Sequence, residues 1–88
     1  MTRDDILNVV KRHIGEVIED VDPASVDPRK SMKELGANSL DIVEVVSCSM
    51  RELRVKVPRS ELSKLTNIDG LVDLLHGTVE GRAAASDR

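Results

Sequence analysis

The chain has no phenylalanine, tyrosine or tryptophan, so any core must be built from Leu, Ile, Val, Met and Ala. That disfavours an all-β fold, where aromatic rings commonly supply cross-strand packing. It also weakens nucleic-acid binding by base stacking, which needs aromatic platforms. Positive charge is short too: the net charge of -3 repels a phosphate backbone, and basic partners are expected instead. A single cysteine, Cys48, permits no internal disulfide and suits a reducing compartment. No apolar run is long enough to span a bilayer, and Met1-Thr2-Arg3-Asp4-Asp5 is too acidic for a signal peptide, so a soluble, cytoplasmic protein is expected. The histidines, His13 and His76, are isolated, and no metal site is expected.

What is present suffices for one domain: 88 residues, 40% of them hydrophobic, can bury a single core. Asp4 and Asp5 precede Ile6, Leu7, Val10, Ile14, Val17 and Ile18, whose spacing marks an amphipathic helix ending near Asp20, before Asp22-Pro23. From Val21 to Asn38 no period holds, and Pro23, Pro28 and Gly36 punctuate the stretch. Val21, Val26, Met32 and Leu35 can pin so long a loop to the core, with a short turn around Ser31 to Leu35. A second helix is expected from Ser39 to Leu53, with Asn38 as its N-cap and Asp41 in its first turn.

Val55 and Val57 alternate with Arg54 and Lys56 as in a strand, but no second strand is available to pair, and an extended connector is expected. Pro58 suits the first turn of a short third helix reaching Leu65. Thr66 or Asn67 caps a fourth, carrying Ile68, Leu71, Leu74 and Leu75 and stopping at His76-Gly77. The domain is expected over residues 1–79, with 80–88 a frayed tail lacking large apolar side chains.

The segment Gly36-Ala37-Asn38-Ser39-Leu40-Asp41-Ile42-Val43-Glu44 sets a hydroxyl in the first turn of a helix directly after a loop. Backbone N–H groups there are unpaired and the helix dipole is positive, so a phosphate esterified to Ser39 would sit in a favourable field. A serine in that place can equally be no more than part of a cap. The surrounding pattern decides between the two. It resembles the acyl carrier protein family, whose hallmark is Asp-Ser-Leu at the start of the second helix, here Asn38-Ser39-Leu40 preceded by Leu35-Gly36. The resemblance continues through Val55-Lys56-Val57-Pro58 and through Thr66 to Leu75, covering roughly residues 4 to 76 in order and spacing.

The resemblance implies an all-α, four-helix acyl-carrier-like bundle with a long first loop and a short third helix. It implies that a phosphopantetheinyl transferase attaches a 4′-phosphopantetheine arm from coenzyme A to Ser39, and that the arm's thiol holds acyl groups as thioesters while separate enzymes do the chemistry. The protein would be no enzyme itself. Two departures stand out: Asn38 replaces the usual aspartate, and Arg59-Ser60 follows Pro58 where housekeeping members carry acids. Together with the Gly81-Arg82-Ala83-Ala84-Ala85 tail they favour a specialised carrier, such as a discrete member of a polyketide or related pathway; a monomer is expected.

On the second helix Ile42, Val45, Val46, Ser49, Met50 and Leu53 form one stripe, which is the expected core face. Leu40 and Val43 lie beside it toward Ser39, either as the core's edge or as a partner contact. The resemblance assigns this flank, comprising Asn38, Leu40, Asp41, Val43, Glu44, Ser47 and Arg51, to the docking of acyl-loading, condensing or acyl-modifying enzymes. Cys48 is read as incidental, because the nearby charges Glu44, Arg51 and Glu52 give no net activation. A serine hydrolase is disfavoured, since Ala37 and Asp41 fill the glycine positions of a Gly-x-Ser-x-Gly elbow. An unmodified docking adaptor and an aminoacyl carrier stay open on the residues alone, and no cargo pocket can be read from them.

Overall fold

The computed structural model describes residues 2–62 and 65–86. Four helices follow one another: α1 (Arg3–Val17), α2 (Ser39–Leu53), α3 (Arg59–Leu62) and α4 (Ile68–Ser86). There is no strand among the described residues. Two 3₁₀ turns, Pro23–Ser25 and Lys33–Leu35, lie in the long first loop.

Local chemistry starts each long helix. Thr2 and Asp5 form a reciprocal capping box on α1, and Asn38 and Asp41 form the same device on α2. The α4 start is closed differently: the Asn67 Oδ1 accepts from the Gly70 N–H at 2.8 Å, and the loop carbonyls of Lys30 and Pro28 accept from Ile68 N–H and Asp69 N–H at 3.0 and 2.8 Å. The first loop therefore serves as the cap of the last helix, which ties the two together.

The core sits where α1 packs against α2 and α4. Ile6, Val9, Val10 and Ile14 meet Val45, Val46 and Leu53 of α2 and Ile68, Leu71, Val72 and Leu75 of α4. Val26, Met32 and Ala37 from the loop and Val55 and Val57 from the connector complete it. As expected, the loop is pinned by its spaced apolar residues and the connector is extended, its Val57 N–H donating to the Met50 sulfur at 3.3 Å. Ser49 is wholly buried inside the α2 stripe, and its hydroxyl is satisfied by the Val45 carbonyl at 2.8 Å.

Several expected boundaries move. The α1 helix ends at Val17, not near Asp20, because Ile18 takes an extended conformation that seats its side chain in the core, and Asp20 then turns with φ 65°. Pro58 lies just before α3, its carbonyl accepting from Glu61 N–H and Leu62 N–H, and the helix is described only to Leu62; residues 63 and 64 lie outside the described residues. The fourth helix does not stop at His76-Gly77. Gly77 meets no obstacle and costs a helix only about 1 kcal/mol, so the backbone stays helical to Ser86, across the stretch expected to be a frayed tail. His76 accordingly lies inside the helix, 3.4 Å from Glu80, rather than at its negative end.

Candidate functional site

The site is built at the junction of loop and α2. Gly36 closes the second 3₁₀ turn with φ 98°, a left-handed conformation that suits glycine, and Ala37 is buried behind it. The chain then extends at Asn38 and enters α2 at Ser39. The Asn38 Oδ1 accepts from the Asp41 N–H at 2.8 Å, and the Asp41 carboxylate accepts from the Asn38 N–H at 3.2 Å. Asn38 thus fixes the helix start as its carboxylate relative would, and Asp41 is engaged in that cap before any partner arrives.

Ser39 is the first residue of α2 and is exposed. Its hydroxyl has no hydrogen-bond partner among the described residues, and neither do the N–H groups of Ser39 and Leu40. At α4 the corresponding N–H groups are taken by the loop. The free hydroxyl at α2 therefore adjoins two open donors at the positive end of a 15-residue helix, an arrangement that suits a phosphodiester. Ser49, by contrast, is buried and bonded, and Ser31 is held by Glu34. The residues present fit a phosphate-linked arm.

Beside Ser39 opens an apolar cleft between α2, the loop, α3 and the start of α4. Ile42, Val46, Met50, Val57, Leu62 and Leu71 line it, and Ser39, Ser47, Thr66 and Lys33 stand among its polar groups. Sequence reading missed this cleft. Its one signal in the sequence was the breadth of the α2 stripe: Ile42 and Met50 are only half-buried and line the cleft.

Most of the residues expected to dock partners lie on the surface. Leu40 is 79% exposed and Val43 49%, so neither is a core residue, and Glu44 and Arg51 are exposed on the same helix. Ser47 is half-buried and faces the cleft. Cys48 is a half-buried free thiol. His13 packs toward α2: its side chain is 12% exposed and its Nε2 lies 2.9 Å from Glu52. Arg12 and, after it, His13 hold the Glu52 carboxyl below its usual range. No cluster able to hold a metal is found among the described residues.

Comparison with known proteins fits these features. Residues 8–75 match the family described as phosphopantetheine attachment site. The chain is 34% identical over 80 residues to the polyketide biosynthesis acyl-carrier-protein AcpK of Bacillus subtilis, covering 91% of this chain and 98% of that one. It is also 34% identical over 80 residues to an acyl carrier protein of Thermosynechococcus vestitus, covering 90% and 98%. Among solved structures it resembles a chain in the crystal structure of the curacin biosynthetic pathway HMG synthase in complex with acetyl donor-ACP. The TM-score is 0.75, with 30% identity, over 84% of this chain and 95% of that one. The chain belongs to the acyl carrier protein family: it is a carrier in biosynthesis rather than an enzyme, and its working group is a covalently attached 4′-phosphopantetheine.

Proposed function

We propose that Ser39 is the attachment residue and that the chain is a discrete, monomeric, cytoplasmic carrier serving a polyketide or related pathway. The observation that carries this reading is the exposed, unpartnered Ser39 hydroxyl beside two open N–H groups, at the mouth of an apolar cleft. A phosphopantetheinyl transferase would join the Ser39 oxygen to the pantetheine-bearing phosphorus of coenzyme A. The hydroxyl proton is lost and adenosine 3′,5′-bisphosphate leaves. When bound, the arm supplies a terminal thiol that holds acyl groups as thioesters. The chain's own residues do the rest: the Asn38–Asp41 cap fixes the direction of Ser39, and the open N–H groups of Ser39 and Leu40 favour the phosphate.

Leu40 and Val43 offer partner enzymes an exposed apolar contact next to Ser39. Asn38, Asp41, Glu44, Ser47 and Arg51 surround it with polar groups, and basic partner surfaces would meet Glu44. The neighbouring solved structure is an HMG synthase in complex with acetyl donor-ACP. That supports, for this chain, a small acyl cargo handed to a condensing enzyme. Protein purified from its own host and fragmented in the mass spectrometer is expected to carry one phosphopantetheine, mapped to Ser39. A modification on another residue, or none, contradicts the assignment.

A further inference from the structure

Lys33 stands at the mouth of the cleft with nothing to neutralise it. It is exposed and lines the same cleft as Ser39. Among the described residues its ammonium has no carboxylate partner. Glu34, its neighbour in sequence, is turned back on Ser31: the Ser31 N–H and hydroxyl both donate to the Glu34 Oε1 at 3.4 Å, and the Ser31 Oγ accepts from the Glu34 N–H at 3.2 Å. No acidic side chain is found among the described residues lining the cleft. Lys33 is the charged side chain among the described residues lining the cleft, on a protein whose net charge is -3.

The loop backbone keeps Lys33 and Ser39 at one mouth. The Met32 carbonyl accepts from the N–H groups of both Leu35 and Ala37, at 3.0 and 3.1 Å, and the Lys33 carbonyl accepts from Gly36 N–H at 3.0 Å. Met32 and Ala37 are thereby joined across a tight turn, with Lys33 next to one and Ser39 two residues past the other. A lysine is a point charge on a flexible stem, which suits a single anionic oxygen group at no fixed angle.

We propose that Lys33 is a positioning residue for the arm: its ammonium pairs with the phosphodiester on Ser39 and turns the arm over the apolar cleft. This rests on Ser39 carrying the arm. An exposed pair of this kind is weak and opens readily, so it biases the arm without trapping it. A carboxylate on the cargo would offer Lys33 the same chemistry from further along the arm, and the test separates the two sources.

The protein is loaded by a broad-specificity transferase with coenzyme A, acetyl-coenzyme A or malonyl-coenzyme A, and one addition is verified by intact mass. Phosphorus NMR of the phosphodiester, and NOEs from the arm's geminal methyls to the methyls of Met32 and Met50, are then compared for wild type, Lys33→Gln and Lys33→Arg. Lys33→Gln is expected to move the phosphorus resonance and weaken the NOEs about two- to fivefold with all three donors, the range of an exposed ion pair. Lys33→Arg is expected to retain both signals, and molar salt on the wild type to reproduce the glutamine variant. Because Lys33 is exposed, the helical circular dichroism of both variants should match the wild type. A phosphorus signal indifferent to Lys33→Gln overturns the proposal. So does a Lys33 dependence confined to the malonyl form, which would assign the lysine to a cargo carboxylate. Failure to gain any arm overturns the Ser39 reading, and with it this one, at the first step.

Discussion

Asn38 holds a cap and neighbours Ser39, the proposed attachment residue, and one substitution separates the two roles. Asn and Asp are near-equal N-caps, so Asn38→Asp is expected to change stability by only about a few tenths of a kcal/mol. The family usually carries the acid here, and a carboxylate beside Ser39 can help hold the metal that accompanies the phosphate-bearing cofactor on a transferase. Asn38→Asp should therefore be loaded faster by a general transferase at nearly unchanged melting temperature. A mass-spectrometric time course and thermal melts on both forms check this, and equal loading rates contradict it. At Val43 and Val45 the distinction is burial. Val43, 49% exposed, should accept Asp with little loss of helix, whereas Val45, fully buried, should not. An isolated buried charge costs several kcal/mol, against under about 0.5 for most surface changes. Gly15 is fixed by contact rather than by φ: a Cβ there would come within 2.3 Å of the Pro23 ring, so Gly15→Ala should lower the melting temperature clearly.

Among the elements, α2 was legible to the residue because everything that bounds it is local: Asn38 caps it, Asp41 completes the cap, and the apolar period ends at Leu53. Other ends were only partly legible, since distant contacts help set them. Ile18 leaves α1 to fill the core; the α4 start was read correctly from its Asn67 cap, but the loop carbonyls some forty residues earlier that take its first two N–H groups are announced by no local pattern. Gly77 was read as a stop from its type alone, although glycine ends a helix only where the chain must turn left-handed, and here it need not. Gly77→Ala gives that difference a measurable sign. Nothing lies within 4 Å of the added Cβ, so the substitution should stabilise α4 by up to about 1 kcal/mol, roughly 4–8 °C in a domain of this size. A lowered melting temperature would mean that the helix breaks there after all. The cleft beside Ser39 was illegible for a similar reason: it takes residues from four separate segments, and each looks like ordinary core when read alone.

For the whole molecule, stability should fall on the acid side. The carboxyls of Asp5, Asp27 and Glu52 are all held below their usual range: Asp5 by the Thr2 backbone N–H and then its hydroxyl, Asp27 by the Arg29 backbone N–H and then its guanidinium, Glu52 by Arg12 and then His13. Each binds protons more weakly folded than unfolded. Its contribution is complete above the unfolded carboxyl range of about 4–4.5 and is lost as pH falls through the lower folded value. The melting temperature should therefore drop on acidification below about pH 4.5, with Glu52→Gln removing part of that drop; a melt indifferent to pH down to 3 contradicts these pairings. The central claim concerns Ser39, and intact mass after incubation with coenzyme A and a broad-specificity transferase tests it most directly. The wild-type chain should gain one phosphopantetheine and Ser39→Ala none, at matching circular dichroism. An alanine variant that still gains the arm would place the attachment elsewhere in the chain and contradict the assignment.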